Sequence, residues 1–150
     1  MSFPTQILPD HHRHCDDLFV AAENAVQRAD WVAAASAFEH FHEQMKAHFE
    51  AEEGLLFPAF EAATGMNEGP TKMMRYEHDQ MRGLLSQLSQ ACEAHQGEDY
   101  AGAAETLLML MQQHNMKEEN ILYPMCDQAL GAEAERIAAQ MSGLLEHAHA

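Results

Sequence analysis

The sequence predicts an all-α protein, an up-down-up-down four-helix bundle with a short additional C-terminal helix. Of the 150 residues, 47% are hydrophobic, and only 5 are Pro and 8 are Gly, most of them at segment boundaries. Hydrophobic residues recur in steps of three and four along four long segments, as on the buried face of a helix. Two of these segments also carry a motif that repeats after 66 residues. Together these observations predict two related helical hairpins.

The first helix is predicted over residues 10–29. Residues 1–9 contain two prolines and little periodicity, which indicates an extended arm before the helix. The side chains expected on the buried face of the helix follow alternating steps of three and four. They are His12, Cys15, Phe19, Ala22 and Val26.

The second helix is predicted to start at Trp31, with Asp30 as its N-cap. Pro58 lacks a backbone N–H and clashes with the preceding turn, so a kink or helix end is expected there. The glycines around residues 64–70 predict a loop. The residues expected on the buried face are Ala34, Phe38, Phe41, Met45, His48, Glu52 and Leu55.

The third helix is predicted over residues 70–95, with Gly97 just past its end. The fourth is predicted over residues 98–130, with a kink at Pro124 and a stop at Gly131. The residues expected inside are His78, Met81, Leu85, Leu88 and Cys92 in the third helix, and Tyr100, Ala104, Leu107, Met111, His114, Glu118 and Ile121 in the fourth.

A last short helix is predicted over residues 132–146, with Ile137, Met141 and Leu144 facing inward. We expect it to cover one side of the bundle and to be followed by a frayed tail over residues 147–150. The whole chain, residues 1–150, is expected to form one domain with its core in residues 10–130.

The repeated motif reads His-x-x-x-Glu-Glu-x-[Leu/Ile]-Leu-aromatic-Pro and begins at His48 and again at His114. Residues four apart lie on one face of a helix, so the histidine and the first glutamate of each copy can bind one metal ion. The second glutamates, Glu53 and Glu119, are expected either in solvent or as hydrogen-bond acceptors for the ligands.

The 66-residue offset also selects a histidine in the first helix, which contains three. Shifted by 66, His12 corresponds to His78, whereas neither His11 nor His14 corresponds to a histidine. His14 also lies off the buried face of the helix. We therefore choose His12, and His11 remains the alternative.

These residues predict a buried site for two metal ions. Carboxylates in an apolar core are costly unless cations compensate them. Nitrogen and carboxylate donors suit iron or manganese, with zinc as an alternative, and bundle cores can hold such dinuclear sites. We expect one ion between the first two histidines and one between the last two, with both glutamates bridging and a position open for a small ligand. The predicted ligands are His12, His48, Glu52, His78, His114 and Glu118.

Composition argues against several other classes of protein. The formal net charge of −16 and the lack of a basic cluster argue against nucleic-acid binding. No apolar run has the length of a membrane span, and the N-terminus does not resemble a signal peptide. Three cysteines without a close pair argue against a disulfide framework, so we expect a cytoplasmic protein.

The ordered set of histidines and His-x-x-x-Glu pairs, followed by Leu-aromatic-Pro, resembles the hemerythrin-like (HHE cation-binding) domain from His12 to about Ala129. The resemblance implies a four-helix bundle with a non-haem di-iron centre held by the six residues above. Arg82 stands where the oxygen-carrying members have a further histidine. Glu119, preceded by Glu118, stands where they have an aspartate. The chain is therefore more similar to stand-alone bacterial members than to oxygen carriers.

The resemblance implies a di-iron protein that binds O2 or NO for sensing, scavenging or iron and redox handling. The alternative is a di-iron enzyme that activates O2 or peroxide, or an iron donor for the repair of iron centres. The chain shows no output domain, so sensing would need a protein partner, and a homodimer is a second option. No substrate-binding motif and no clear acid/base pair stand outside the ligand set, which argues against the enzyme without deciding the question.

Overall fold

The computed structural model describes residues 3–149, and the described part of the chain is almost entirely helical, without strands. Its α-helices are α1 Pro4–Gln27, α2 Trp31–Ala51, α3 Phe57–Thr64, α4 Pro70–Glu93, α5 Gly97–Lys117, α6 Tyr123–Leu130 and α7 Ala134–His149. Two π-helical turns, Glu52–Leu56 and Glu118–Leu122, join α2 to α3 and α5 to α6. The four long arms are therefore α1, α2–α3, α4 and α5–α6. The predicted all-α bundle is confirmed.

The arms form two hairpins that close into a ring. α1 packs against α2 and α4 against α5, while α1 also contacts α5 and α2 contacts α4. Each hairpin turns on a left-handed residue, Ala29 with φ 55° and His95 with φ 56°, and these two residues are 66 positions apart. Asp30 caps α2 as predicted. Gly97 does not end the third helix, which stops at Glu93 instead.

The predicted extended arm is wrong from Pro4 onward, because α1 already begins there. Pro4 occupies the first turn, where no backbone N–H is needed, and Pro9 lies inside the helix. Leu8 is completely buried in a cluster with residues of α6 and α7. Burial of this apolar turn offsets the cost of the internal proline. Residues 1–2 of the predicted arm lie outside the described residues.

The two π turns shift the helical register by one residue. In each turn, a backbone N–H donates to the carbonyl five residues earlier, and the proline follows in the first turn of the next α-helix. The extra residue leaves Leu55 only half-buried at the edge of the core and exposes Ile121, and Leu56 and Leu122 are buried instead. Our prediction of Ile121 as a core residue is therefore wrong, and Leu55 packs against the core without being fully buried. The other residues predicted inside the four long helices are buried.

α7 packs against α1 and α2, so it covers one side of the bundle as expected. Ile137 and Met141 are buried, whereas Leu144 is only half-buried. The helix extends to His149, so the predicted fraying is wrong over residues 147–149, and Ala150 lies outside the described part. No helix among residues 3–149 combines the length and hydropathy needed to cross a membrane.

The core is divided into two apolar clusters along the bundle. One lies towards the hairpin corners and is rich in phenylalanine, leucine and methionine. The other lies under α3, α6 and α7. Between them lies a layer of buried polar residues to which all four arms contribute.

Candidate metal centre

The six predicted ligands meet in this polar layer. α1, α2, α4 and α5 each contribute one histidine, and each π turn contributes its first residue, a glutamate. None of the six is more than 5% exposed. They form two sets in which one donor atom from each residue lies within 4.8 Å of the others. The sets are His12, His48, Glu52 and Glu118, and Glu52, His78, His114 and Glu118.

Each glutamate faces histidines from both hairpins. Glu52 Oε2 lies 3.5 Å from His48 Nε2 on its own arm, and Glu52 Oε1 lies 3.0 Å from His78 Nε2 on the other hairpin. Glu118 Oε1 lies 3.1 Å from both His114 Nε2 and His12 Nε2. Both carboxylates therefore belong to both sets, which is the arrangement that a bridged pair of ions requires.

The second glutamate of each motif contacts a histidine at Nδ1, the ring nitrogen that faces away from the centre. His12 Nδ1 lies 2.7 Å from Glu119 Oε2, and His78 Nδ1 lies 2.6 Å from Glu53 Oε2. Partial burial would raise the pKa of Glu53, but hydrogen bonds from His78 and Arg82 lower it to about 2. These contacts fix both rings with Nε2 directed towards the glutamates, as in metal sites whose histidines are oriented by carboxylates.

The remaining two histidines are held by different partners in the two hairpins. His48 Nδ1 lies 2.8 Å from His11 Nδ1, whereas His114 Nδ1 lies 2.8 Å from Glu77 Oε1. His11 and Glu77 are 66 positions apart, so they occupy equivalent places. Burial and the neighbouring His48 lower the pKa of His11 to about 3. His11 thus belongs to neither set but contacts His48, whereas His12 is a member of the first set.

The glutamates hold three of the histidines towards the protonated form. Burial opposes protonation of His12, but the hydrogen bond and charge of Glu118 raise its pKa. The same balance raises the pKa of His78 beside Glu52. At His114, burial is again outweighed by Glu118, and the pKa rises to about 10.

Burial prevails at His48, whose pKa is lowered. Burial would also raise the pKa of Glu52, yet the charge of His48 and several hydrogen bonds hold it well below the usual range. The layer therefore contains a negatively charged carboxylate stabilised by protonated imidazoles. A metal cation would replace those protons, because a histidine must be neutral to coordinate.

The second set also has unsatisfied donor atoms. A buried polar atom without a hydrogen bond costs about 1–3 kcal/mol. One atom of each residue in this set is buried without a well-aligned hydrogen bond, although His78 Nε2 lies 3.0 Å from Glu52 Oε1 and His114 Nε2 lies 3.1 Å from Glu118 Oε1. The four atoms are Glu52 Oε1, His78 Nε2, His114 Nε2 and Glu118 Oε2. A cation among them would satisfy all four, so the residues fit a metal ion.

Tyr123 belongs to the centre, and the sequence analysis missed it. Its completely buried hydroxyl lies 2.5 Å from Glu52 Oε2 and 2.9 Å from Glu118 Oε1. Burial and the two carboxylates raise its pKa well above the usual value. The repeated motif has an aromatic residue before each proline, but α-helical periodicity does not place that residue beside the glutamate. In the π turn, residues five apart lie on one face, so Tyr123 lies on the same face as Glu118.

A small cavity adjoins the centre on the side of the hairpin corners. Its volume is about 10 Å³, close to the minimum that holds one water molecule. Three methionines, Cys15 and Phe49 contribute to its walls beside the histidines. The cavity offers an apolar space next to the polar layer. The methionines are Met45, Met81 and Met111.

Comparison with known proteins agrees with this geometry. A family model described as the hemerythrin HHE cation-binding domain matches residues 4–126, which include all six residues of the two sets. No curated protein and no solved structure matches the chain. Since the family model covers most of the 150 residues, the chain belongs to the hemerythrin HHE cation-binding domain family.

Proposed function

We propose that the protein binds two iron ions in the polar layer and that this di-iron centre takes up a small diatomic ligand, O2 or NO. The role would be sensing, scavenging or iron and redox handling. The observation that carries the proposal is the pair of buried four-residue sets that share both glutamates. Iron would supply the redox chemistry and the affinity for the gas. Manganese and zinc are the alternative metals for this donor set.

The assignment of ligands follows the two sets. His12 and His48 would bind one ion, and His78 and His114 the other. Glu52 and Glu118 would bridge both ions and offset their charge. The Nδ1 contacts described above leave Nε2 of each histidine for the metal.

The surroundings support a small ligand. The cavity beside the histidines is apolar and narrow, which favours an uncharged molecule of a few atoms. Methionine side chains adapt their shape easily, so the cavity can widen for a diatomic gas.

We also propose that residues 1–150 form a single domain. A cytoplasmic location is proposed because Cys15, Cys92 and Cys126 are unpaired.

The test is metal analysis of anaerobically purified protein, followed by optical spectra with O2 and with NO. We expect two ions per chain and a spectral change that reverses when the gas is removed. Turnover of peroxide would favour the alternative, a di-iron enzyme. A loading near one ion, or spectra that neither gas changes, would contradict the proposal.

The histidine of α1 can be tested separately. His12→Ala removes one nitrogen from the ion also held by His48, so purified protein should contain roughly half the metal of the wild type, since one of the two ions loses a ligand. His14→Ala is the matched control, because His14 belongs to neither set, and it should leave the loading unchanged.

His11→Ala distinguishes positioning from ligation. His11 contacts His48 Nδ1, so its loss should weaken binding without emptying the position. If His11→Ala halves the metal content and His12→Ala does not, the assignment of His12 is wrong.

A further inference from the structure

The hydroxyl oxygen of Tyr123 contacts one donor atom of every residue in the first set. Besides the two glutamate contacts, it lies 3.2 Å from His12 Nε2 and 3.5 Å from His48 Nε2. The ring of Tyr123 stacks on that of His12 with a centroid distance of 5.8 Å. The side chain is 0% exposed, so the oxygen is fixed inside the layer.

These distances match those between neighbouring ligands of one metal ion. Nitrogen and oxygen donors lie about 2.0–2.2 Å from such an ion, so two donors at right angles lie about 3 Å apart. The four distances from the phenol oxygen range from 2.5 to 3.5 Å. The oxygen therefore occupies the place of a fifth donor, adjacent to all four others.

Within residues 3–149, no hydroxyl oxygen contacts all four residues of the second set, since that of Tyr123 reaches only its two glutamates. Sixty-six residues before Tyr123 the chain has Phe57, whose ring lies 5.8 Å from that of His78. Phe57 is as completely buried as Tyr123. The two halves of the centre are thus alike in their histidines and glutamates and differ at this position.

We propose that Tyr123 is the fifth protein ligand of the ion held by His12 and His48. Its phenol proton passes to solvent as the oxygen binds the ion. The ion at His78 and His114 has only four protein donors and provides the open position for a small ligand. This inference rests on the proposed function, because it requires that the centre binds metal.

The test uses Zn²⁺, which has no visible bands of its own. Adding Zn²⁺ to the metal-free full chain should produce a near-ultraviolet phenolate difference spectrum equivalent to one tyrosine. Loading with Fe³⁺ should produce a visible phenolate-to-iron charge-transfer band. Tyr123→Phe should abolish both signals and lower the affinity for one of the two ions by at least about tenfold.

The chain offers both evidence that the variant should fold and a matched control tyrosine. Phe57 shows that phenylalanine fits the equivalent position, so Tyr123→Phe should fold. Tyr100→Phe is the matched control, since Tyr100 is also buried but belongs to the other apolar cluster, and it should keep both signals. Resonance Raman spectra of the wild type with ring-deuterated tyrosine provide a second readout that needs no variant.

The outcomes separate this inference from the proposed function. Metal that binds without a phenolate signal, or a signal that survives in Tyr123→Phe, overturns the role of Tyr123 and leaves the metal centre intact. A wild type that binds one ion beside a Tyr123→Phe variant that binds two would show that the tyrosine blocks the first position. Absence of metal binding would overturn both proposals.

Discussion

Removal of the metal with a chelator should lower the melting temperature by roughly 8–16 °C. The four histidines and two glutamates come together only in the folded chain, so metal binds the folded state and stabilises it. With free metal a thousandfold above its dissociation constant, the stabilisation is about 4 kcal/mol. For a domain of this size, 1 kcal/mol corresponds to about 2–4 °C.

The measurement compares thermal unfolding of loaded, chelated and reloaded protein by circular dichroism. Reloading is the control, because it should restore the original transition. An unchanged melting temperature after removal of the metal would contradict the proposed buried site.

The difference in melting temperature should widen as the pH rises. The pKa values of His12, His78 and His114 are raised in the folded protein, so protonation of these histidines stabilises the metal-free protein. This stabilisation is complete when the pH is below the pKa of 6.5 in the unfolded chain. That contribution is lost as the pH rises through the folded values, which for His114 is about 10. Metal binding also becomes stronger over this pH range, because the metal no longer has to displace protons from the histidines. A difference that is constant from pH 6.5 to 9 would contradict this coupling.

Glu118→Gln should reduce metal binding from two ions per chain to less than one. The carboxylate belongs to both sets, so both ions lose a charged ligand at once. Glutamine has the same shape, which keeps the packing of the π turn. The measurement is metal content after exposure to excess iron and desalting.

Glu50→Gln is the control for this variant. Glu50 is exposed on α2 and lies close in sequence to the motif, but it belongs to neither set. It should retain two ions. Full loading of Glu118→Gln would show that the glutamates do not bridge.

The bundle and the six clustered residues could be predicted because helical periodicity and an internal repeat are both visible in the sequence. His48 and Glu52 are one helical turn apart, and the 66-residue offset extends the pattern to His12 and His78. The periodicity of hydrophobic residues could not reveal the π turns, since each turn is only five residues long and one inserted residue does not change so short a pattern recognisably. The burial of Leu56 in place of Leu55, and the reach of Tyr123 into the centre, both follow from that insertion.

The different partners of His48 and His114 were also beyond sequence reasoning. The offset relates His11 to Glu77, but their contacts with the facing histidines depend on how α1 packs against α2 and α4 against α5. The start of α1 at Pro4 was missed for a similar reason, because the burial of Leu8 depends on α6 and α7.

The sharing of the glutamates gives each hairpin an incomplete site. The first hairpin carries His12, His48 and Glu52 and lacks only one carboxylate of the first set. The second hairpin carries the matching three and lacks the other. Two copies of one hairpin would therefore complete each other's sites, and a symmetric dimer of half-length chains would hold the same two ions. Such a dimer would carry the same residue at positions 57 and 123, whereas the single chain has Phe57 in one hairpin and Tyr123 in the other.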